Sequence, residues 1–235
     1  LARKKKSAVM RRISGWVLVI FLFFLVFSSL QVLLLRFMNS PLTLTRISGW
    51  ITDQRPSGSG RSAGTWKPLE DISPNLRRAV LAGEDQRFLW HHGFDIVEIS
   101  HAIKDIIQKG SKRGASTITM QVARTVFLWP ARTWSRKAVE AYYTFLLEMF
   151  LSKKRILEIY LNTVDWGAGI RGAEAASRSY FKSSSSSLSP DQAALLAAVL
   201  PGPHKWSVKR PNAEVRQRQM RILRDMKRMP LVGVH

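Results

Sequence analysis

From Ile13 to Leu35 the chain runs for 23 residues without a charge, and the run is rich in Leu, Val, Ile and Phe. As a helix rising about 1.5 Å per residue it covers roughly 35 Å, against about 30 Å for the hydrocarbon core of a bilayer. The run can therefore cross a membrane with some tilt, and the rest of the chain has to be arranged around that fact. A cleavable signal peptide has an apolar core of about 7 to 15 residues, so the longer run reads as an uncleaved anchor. Arg3, Lys4, Lys5, Lys6, Arg11 and Arg12 precede it with no acidic residue among them. The positive-inside bias places that end in the cytoplasm and everything beyond the anchor on the other side.

Most of the charge lies beyond the anchor. The chain has 37 Lys and Arg against 16 Asp and Glu, a formal +21; removing the six leading basic residues leaves 31 against 16, or +15. Such a field attracts nucleic acid, anionic lipid headgroups or a phosphorylated substrate. With 235 residues and 46% hydrophobic content there is enough chain for one globular domain plus an appendage. The absence of cysteine excludes disulfides and thiolate metal sites.

Composition divides the chain into a basic cytoplasmic segment (1–12), a transmembrane helix (13–35), a juxtamembrane connector (36–68) and a folded domain (69–235). The connector gathers Pro41, Pro56, Gly58, Gly60 and Gly64. Its Trp50 and Trp66 suit either the headgroup level or ordinary packing. Helical signals resume at Ser73-Pro74, a cap followed by proline at the first helical position. Val80, Glu84 and Phe88 then fall at i, i+4 and i+8, which sets Glu84 on an apolar stripe where burial raises its pKa, while Arg87 pulls the other way. For a Glu-Asp pair taken alone, a helix end meeting surface arginines is the simpler reading. Adjacent His91 and His92 lack the i, i+4 spacing of a helical zinc motif, so no metal ligands are assigned.

Ile96 to Gln108 has a helical stripe of Ile96, Ile99, Ile103, Ile106 and Ile107, with Gly110 as its stop. The following stretch from Ser111 to Arg124 is small and hydroxylated and carries Lys112, Arg113 and Arg124. It suits either phosphate oxygens or a capped helix start, and it lacks the ending of a Walker loop. Trp134 to Leu151 reads as a helix with Arg136, Lys137 and Glu140 on one polar patch, by itself an ordinary surface ion pair. Glu158, one turn after Lys154, reads as a brace. Arg171 to Phe181 is a small-residue helix, Ser183 to Ser187 a flexible surface loop, and Ser189-Pro190-Asp191-Gln192 a capping box ahead of a buried Ala193–Leu200 helix. Asn212 to Met229 is a basic amphipathic helix. With no repeat and no strand alternation, the domain is expected to be predominantly α.

Read together, these stretches resemble the peptidoglycan glycosyltransferases, most closely their monofunctional, membrane-anchored branch. Glu84-Asp85-x-x-Phe88-x-x-His91-x-Gly93 and Gly114-Ala115-Ser116-Thr117-Ile118-Thr119-x-Gln121 look like the first two signature motifs. Arg136-Lys137-x-x-Glu140 is similar to the third, Arg155-Ile156-Leu157-Glu158-Ile159-Tyr160-Leu161-Asn162 to the fourth, and Arg171-Gly172-x-x-x-Ala176 with Tyr180-Phe181 to the fifth. All five occur in order between about Leu69 and Pro211.

The resemblance implies a mainly α fold, with a lysozyme-like helical lobe and a smaller membrane-proximal lobe. It implies an inverting transfer that polymerises lipid II into glycan strands and releases undecaprenyl pyrophosphate. Glu84 matches the family's catalytic base and Glu140 its second important carboxylate, which either organises nearby cations or helps hold a divalent ion. Asp85, Phe88, Ser116, Thr117, Gln121, Arg124, Arg136 and Lys137 are the expected substrate-binding residues. A divalent cation, Mg or Mn, has room at the pyrophosphate, and no organic cofactor is expected. The partners implied are lipid II, the lipid-linked growing glycan, the membrane and other wall-synthesis or division proteins, with no nucleic acid. The location implied is the bacterial inner membrane, single-pass, with the catalytic domain outside.

Three positions depart from the family pattern. Met120 stands where the first of two glutamines is usual, Arg124 replaces a lysine with the same charge but a different geometry, and Tyr180-Phe181-Lys182 lacks a glycine before the lysine. Two other classes remain open to the residues: a lysozyme-like hydrolase, which needs neither the anchor nor the cations, and a non-enzymatic basic tether, whose binding would be steeply salt-dependent.

Overall fold

The computed structural model describes residues 2–39, 65–110, 114–129, 131, 133–167 and 169–233, with side chains from 14 onward except at 109. Most of the expected connector, Trp50 included, and the basic residues Lys112 and Arg113 lie outside the described residues.

The architecture is mainly α, of the lysozyme-like helical kind. Among the described residues the only β feature is an isolated bridge between Asp165 and Arg171. The helices are α1 (Ala2–Leu34), α2 (Pro74–Glu84), α3 (Ile96–Lys109), α4 (Ile118–Phe127), α5 (Trp134–Phe150), α6 (Lys153–Thr163), α7 (Ala173–Phe181), α8 (Pro190–Val199) and α9 (Ala213–Asp225).

Local chemistry sets their starts. Ser73, Asp95, Thr117, Thr133, Ser152, Ser189 and Asn212 each accept a backbone N–H of the first turn. Such a cap stabilises a helix by about 1 kcal/mol. Ser189 and Gln192 form the full reciprocal capping box, and Gly110 ends α3 in the left-handed region.

α8 is the central element. Ala193 to Val199 are all buried, because small and apolar side chains all round the helix let α2 and α9 pack on it. In a second group, α4 packs against α5 and α6. One continuous apolar core runs through both groups and reaches Val32 of α1 and Leu35 just after it. The serine run is not a loose loop: Ser185 is fully buried. Its N–H and hydroxyl bond Glu174 Oε2 at 2.8 and 2.7 Å, and its carbonyl accepts from Ser73 N–H at 2.9 Å.

α1 combines the basic residues and the apolar run in one helix. Its Ser14–Leu34 portion is long and apolar enough to cross a membrane and fits a membrane anchor. The C-terminal half of that portion lies along α5. Phe24 stacks on Tyr142 with 5.5 Å between ring centroids, Ser28 Oγ lies 2.6 Å from Tyr142 Oη, and Tyr143 Oη donates to Gln31 Oε1 at 2.9 Å.

The isoleucine stripe of α3 is not core. Ile96, Ile103, Ile106 and Ile107 are 70%, 51%, 52% and 78% exposed, and the buried side of that helix is formed by Ala102. Trp66 is tied to the domain through Nε1, which donates to Glu158 Oε1 at 3.2 Å, so ordinary packing accounts for it.

Candidate active site

α2 ends at Glu84, and Asp85 takes an extended C-cap conformation, so the two carboxylates diverge. The helical stripe accordingly stops at Glu84. Phe88 enters the core through the following turns instead of continuing the helix.

Glu84 is one-tenth exposed and held from two sides. Arg218 Nη2, from α9, donates to its Oε1 at 2.9 Å and to the Gly83 carbonyl at 2.7 Å. Gln121 Nε2, from α4, donates to its Oε2 at 3.0 Å, while Gln121 Oε1 accepts the Tyr160 hydroxyl at 3.2 Å. Because Tyr160 supplies a proton to the amide oxygen, the amide nitrogen is the end that meets the carboxylate.

Burial pushes the Glu84 pKa up. Arg218 opposes it through charge and hydrogen bond, as do the Gln121 hydrogen bond and the charge of Arg124, and the net direction is upward. Tyr160, fully enclosed and beside Glu84, is pushed well above the usual phenol value and stays a donor. A desolvated carboxylate with a raised pKa, held at fixed geometry, is suited to accept a proton near neutral pH.

Asp85 faces the other way. Its Oδ2 accepts the Ile118 N–H at 3.0 Å, and His91 Nε2 lies 2.9 and 3.1 Å from its two oxygens. It therefore fixes the first turn of α4, which presents Gln121 and Arg124. Thr117 caps that turn and donates its hydroxyl to the Gly93 carbonyl at 2.6 Å. Gly93 has φ +86°, and a Cβ there would lie 2.7 Å from Thr144 Cγ2, so glycine is required at this crossing.

Phe88 and Thr117, expected among the substrate-binding residues, are 1% and 3% exposed. They support the site from beneath and present no surface to a substrate. Ser116 is half-buried and Arg124 exposed, on the open side of the same helix start. Met120 is 6% exposed and points into the interior, so the outward-facing amide of this turn is Gln121.

The second cluster is on α5. Glu140 is fully buried, with Arg136 Nη1 2.8 Å from one oxygen and Lys137 Nζ 2.5 Å from the other. Arg136 is 12% exposed and Lys137 41%, so Lys137 reaches the surface while Arg136 is largely buried against the carboxylate. α4 and α5 pack together, which sets the two clusters on neighbouring helices. With each Glu140 oxygen already engaged by a cation, a divalent ion here would have to displace one, and the geometry favours the cation-organising role.

Asp85, His91 and Asp95 offer ligand atoms within 4.8 Å of one another. Asp95 Oδ1 accepts the Glu98 N–H, its Oδ2 lies 3.1 Å from Arg87 Nε, and Asp85 holds Ile118. The group could hold a metal: Asp85 is engaged by the fold, while Asp95 Oδ2 and His91 Nδ1 have no hydrogen-bond partner among the described residues, and nothing specifies an ion.

Sequence reasoning missed Arg218 as a partner of Glu84. The signal was present: Val215, Arg218 and Ile222 share one face of α9, and Val215 and Ile222 are buried. A cation inside an apolar stripe needs a buried partner.

Residues 53–227 match the family model described as Transglycosylase, and the chain belongs to that family. Its relatives narrow the class. A biosynthetic peptidoglycan transglycosylase of Pseudomonas fluorescens is 48% identical over 212 residues, 88% of this chain and 87% of the relative. Proteins of the same name from Bdellovibrio bacteriovorus and Xanthomonas campestris are 45% and 42% identical, covering 88% and 93% of this chain and 83% and 89% of theirs.

Proposed function

We propose that this protein is a membrane-anchored peptidoglycan glycosyltransferase that polymerises lipid II. The observation that carries the reading is Glu84, a desolvated carboxylate with a raised pKa, gripped by Arg218 and Gln121 one helix away from a cation cluster. Glu84 takes the proton from the 4-hydroxyl of the acceptor GlcNAc as that oxygen bonds to the anomeric carbon of the donor. The bond from that carbon to the lipid pyrophosphate breaks with inversion, and undecaprenyl pyrophosphate leaves. A positioned base of this kind contributes about 10²- to 10⁴-fold.

Arg124, Arg136 and Lys137 take the charge of the leaving pyrophosphate, with Ser116 and Gln121 as hydrogen-bond donors. Charge already in place before the reaction needs no reorganisation during it, and this is the larger contribution. Glu140 holds Arg136 and Lys137 in register.

The substrate's lipid tail accounts for the surface. Trp134 is 90% exposed, Phe145 and Met149 exceed one half, and the α3 isoleucines add to them. α5 lies beside the outer half of the anchor, so this apolar side meets the outer leaflet, with the domain outside the bacterial inner membrane. The test is lipid II polymerisation by the purified protein and by Glu84→Gln and Glu140→Gln. Glycan strands from the wild type, and their loss in a correctly folded Glu84→Gln protein, are expected. Full activity of folded Glu84→Gln, or cleavage of preformed glycan without polymerisation, refutes the assignment.

A further inference from the structure

Where the anchor ends, it meets the end of α5 and the start of α6, and a cavity of about 450 Å³ opens between them. Arg36, Lys154 and Arg155 supply its cations, Glu158 its carboxylate, and Met149 and Phe150 part of an apolar wall.

Two of these groups are committed to the fold. Arg155 clamps the anchor's last turn, donating from Nε to the Leu35 carbonyl at 2.8 Å and from Nη2 to the Met38 carbonyl at 2.6 Å. Those carbonyls have no helical partner, so the clamp both caps the helix and fixes the cavity's shape. Glu158 accepts from Trp66 Nε1, the Leu69 N–H at 3.1 Å and Arg155, which uses its charge inward.

The other two cations remain available. Arg36 is exposed, lies 5.9 Å from the Phe37 ring and makes no ion pair among the described residues. Lys154 pairs with Glu70 where the two side chains are 45% and 49% exposed. An exposed pair of that kind is worth little and exchanges readily.

Depth selects the ligand. Arg36 directly follows Leu35, the last residue of the uncharged run, and so sits at headgroup level. A free phosphate would leave the apolar wall bare, and a zwitterionic headgroup would bring its own cation up against Arg36 and Lys154.

We propose that this cavity binds the headgroup of one anionic phospholipid. The phosphodiester sits on Arg36 and Lys154, and the glycerol and first methylenes lie along Met149 and Phe150. The bound lipid fills the angle between anchor and domain and holds the domain at a fixed height. The proposal rests on the membrane reading of α1 and not on the transfer chemistry.

The test is native mass spectrometry of the full chain in mild detergent, titrated with phosphatidylglycerol, phosphatidylcholine or inorganic phosphate. Wild type should retain one phosphatidylglycerol per chain in preference to phosphatidylcholine, undisplaced by millimolar phosphate. Arg36→Gln with Lys154→Gln should weaken retention by about 25-fold, five-fold for each charge removed, which corresponds to about 1 kcal/mol apiece. Arg36→Lys with Lys154→Arg should restore it. Polymerisation by the Gln variant in detergent should match wild type, which separates this proposal from the catalytic one. Equal retention of the two lipids, displacement by phosphate, or a Gln double variant that holds phosphatidylglycerol like wild type overturns it.

Discussion

Arg218→Gln separates a base-holding role from a merely structural one. The arginine contributes one hydrogen bond of 2.9 Å and one opposite charge to a carboxylate that is one-tenth exposed, and it is itself 22% exposed. A hydrogen bond to a charged group is worth about 1.5–3 kcal/mol. Losing it disfavours ionised Glu84, since burial already pushes that pKa up and Arg218 is the largest opposing influence. Arg124 still faces the carboxylate from α4 and Gln121 still donates to it. Tyr160 bonds the amide, and Asp85 is engaged by His91 and Ile118, so none of these can replace the lost charge.

The expected result is a profile of kcat/KM against pH whose acid limb moves to higher pH. Activity on that limb should fall by roughly ten- to hundred-fold, the equivalent of about 1.4–2.8 kcal/mol, with a smaller loss on the high-pH plateau. Arg218→Lys should recover part of the displacement, because it keeps the charge but not the planar guanidinium whose Nη2 reaches both Glu84 and the Gly83 carbonyl. Lipid II polymerisation measured across pH, beside a thermal melt for each variant, decides the matter. A uniform loss at every pH with the limb unmoved would refute the reasoning and assign Arg218 to folding or to substrate contact.

Four further outcomes follow from the same geometry. Glu84→Gln should change stability relative to wild type in a pH-dependent way. The folded carboxyl titrates above its ordinary 4.5, so the folded state binds the extra proton and wild type loses stability as pH rises through that window; melts whose difference stays constant with pH would refute this. Glu140→Leu should destabilise by about 3–5 kcal/mol, because Arg136, only 12% exposed, is left buried without its counter-charge while Lys137 can turn to water, and denaturant unfolding that moves by less than half of that figure contradicts the assignment. Ser185→Ala removes a hydroxyl bonded to Glu174 at 2.7 Å and should cost about 1–3 kcal/mol, visible as a lower melting temperature that a solvated serine loop would not show. Gly93→Ala should destabilise strongly, since it combines a φ of +86° with a 2.7 Å approach to Thr144; a variant that melts like wild type would mean the crossing relaxes.

What was legible in the sequence was whatever a short stretch specifies by itself. Ser73-Pro74, Ser189 with Gln192 and Gly110 set helix ends through groups a few residues apart, and the structure has those ends. The apolar Ala193–Val199 segment was recognisable as core because it is apolar on every side. The isoleucines of α3 were equally legible as a stripe, but periodicity shows that a helix has an apolar side and not what covers it. Their exposure is set by tertiary packing, which leaves that side of the helix uncovered. The serine run failed for the converse reason: its polarity suggested solvent, while a buried carboxylate on the preceding helix, eleven residues earlier, supplied the partner.

The same distinction explains the site. Glu84, Gln121, Arg124, Arg136, Lys137 and Glu140 lie within 57 positions of one another, numbered 84 to 140, and motif spacing reached them. Arg218 joins from 134 residues away, and it comes in beside Gly83, where a Cβ would stand 3.1 Å from Ile222 Cδ1, tighter than most such contacts, and 3.7 Å from Arg218 Nη2, an ordinary one. The small residue at 83 eases the packing of α9 on α2, which brings a cation to Glu84. The surroundings of Glu84 are therefore completed only when α9 docks, so its ionisation is coupled to the folding of that helix. Substitutions along the α9 face that weaken docking, at Val215 or Ile222, act on Glu84 through Arg218 without touching substrate.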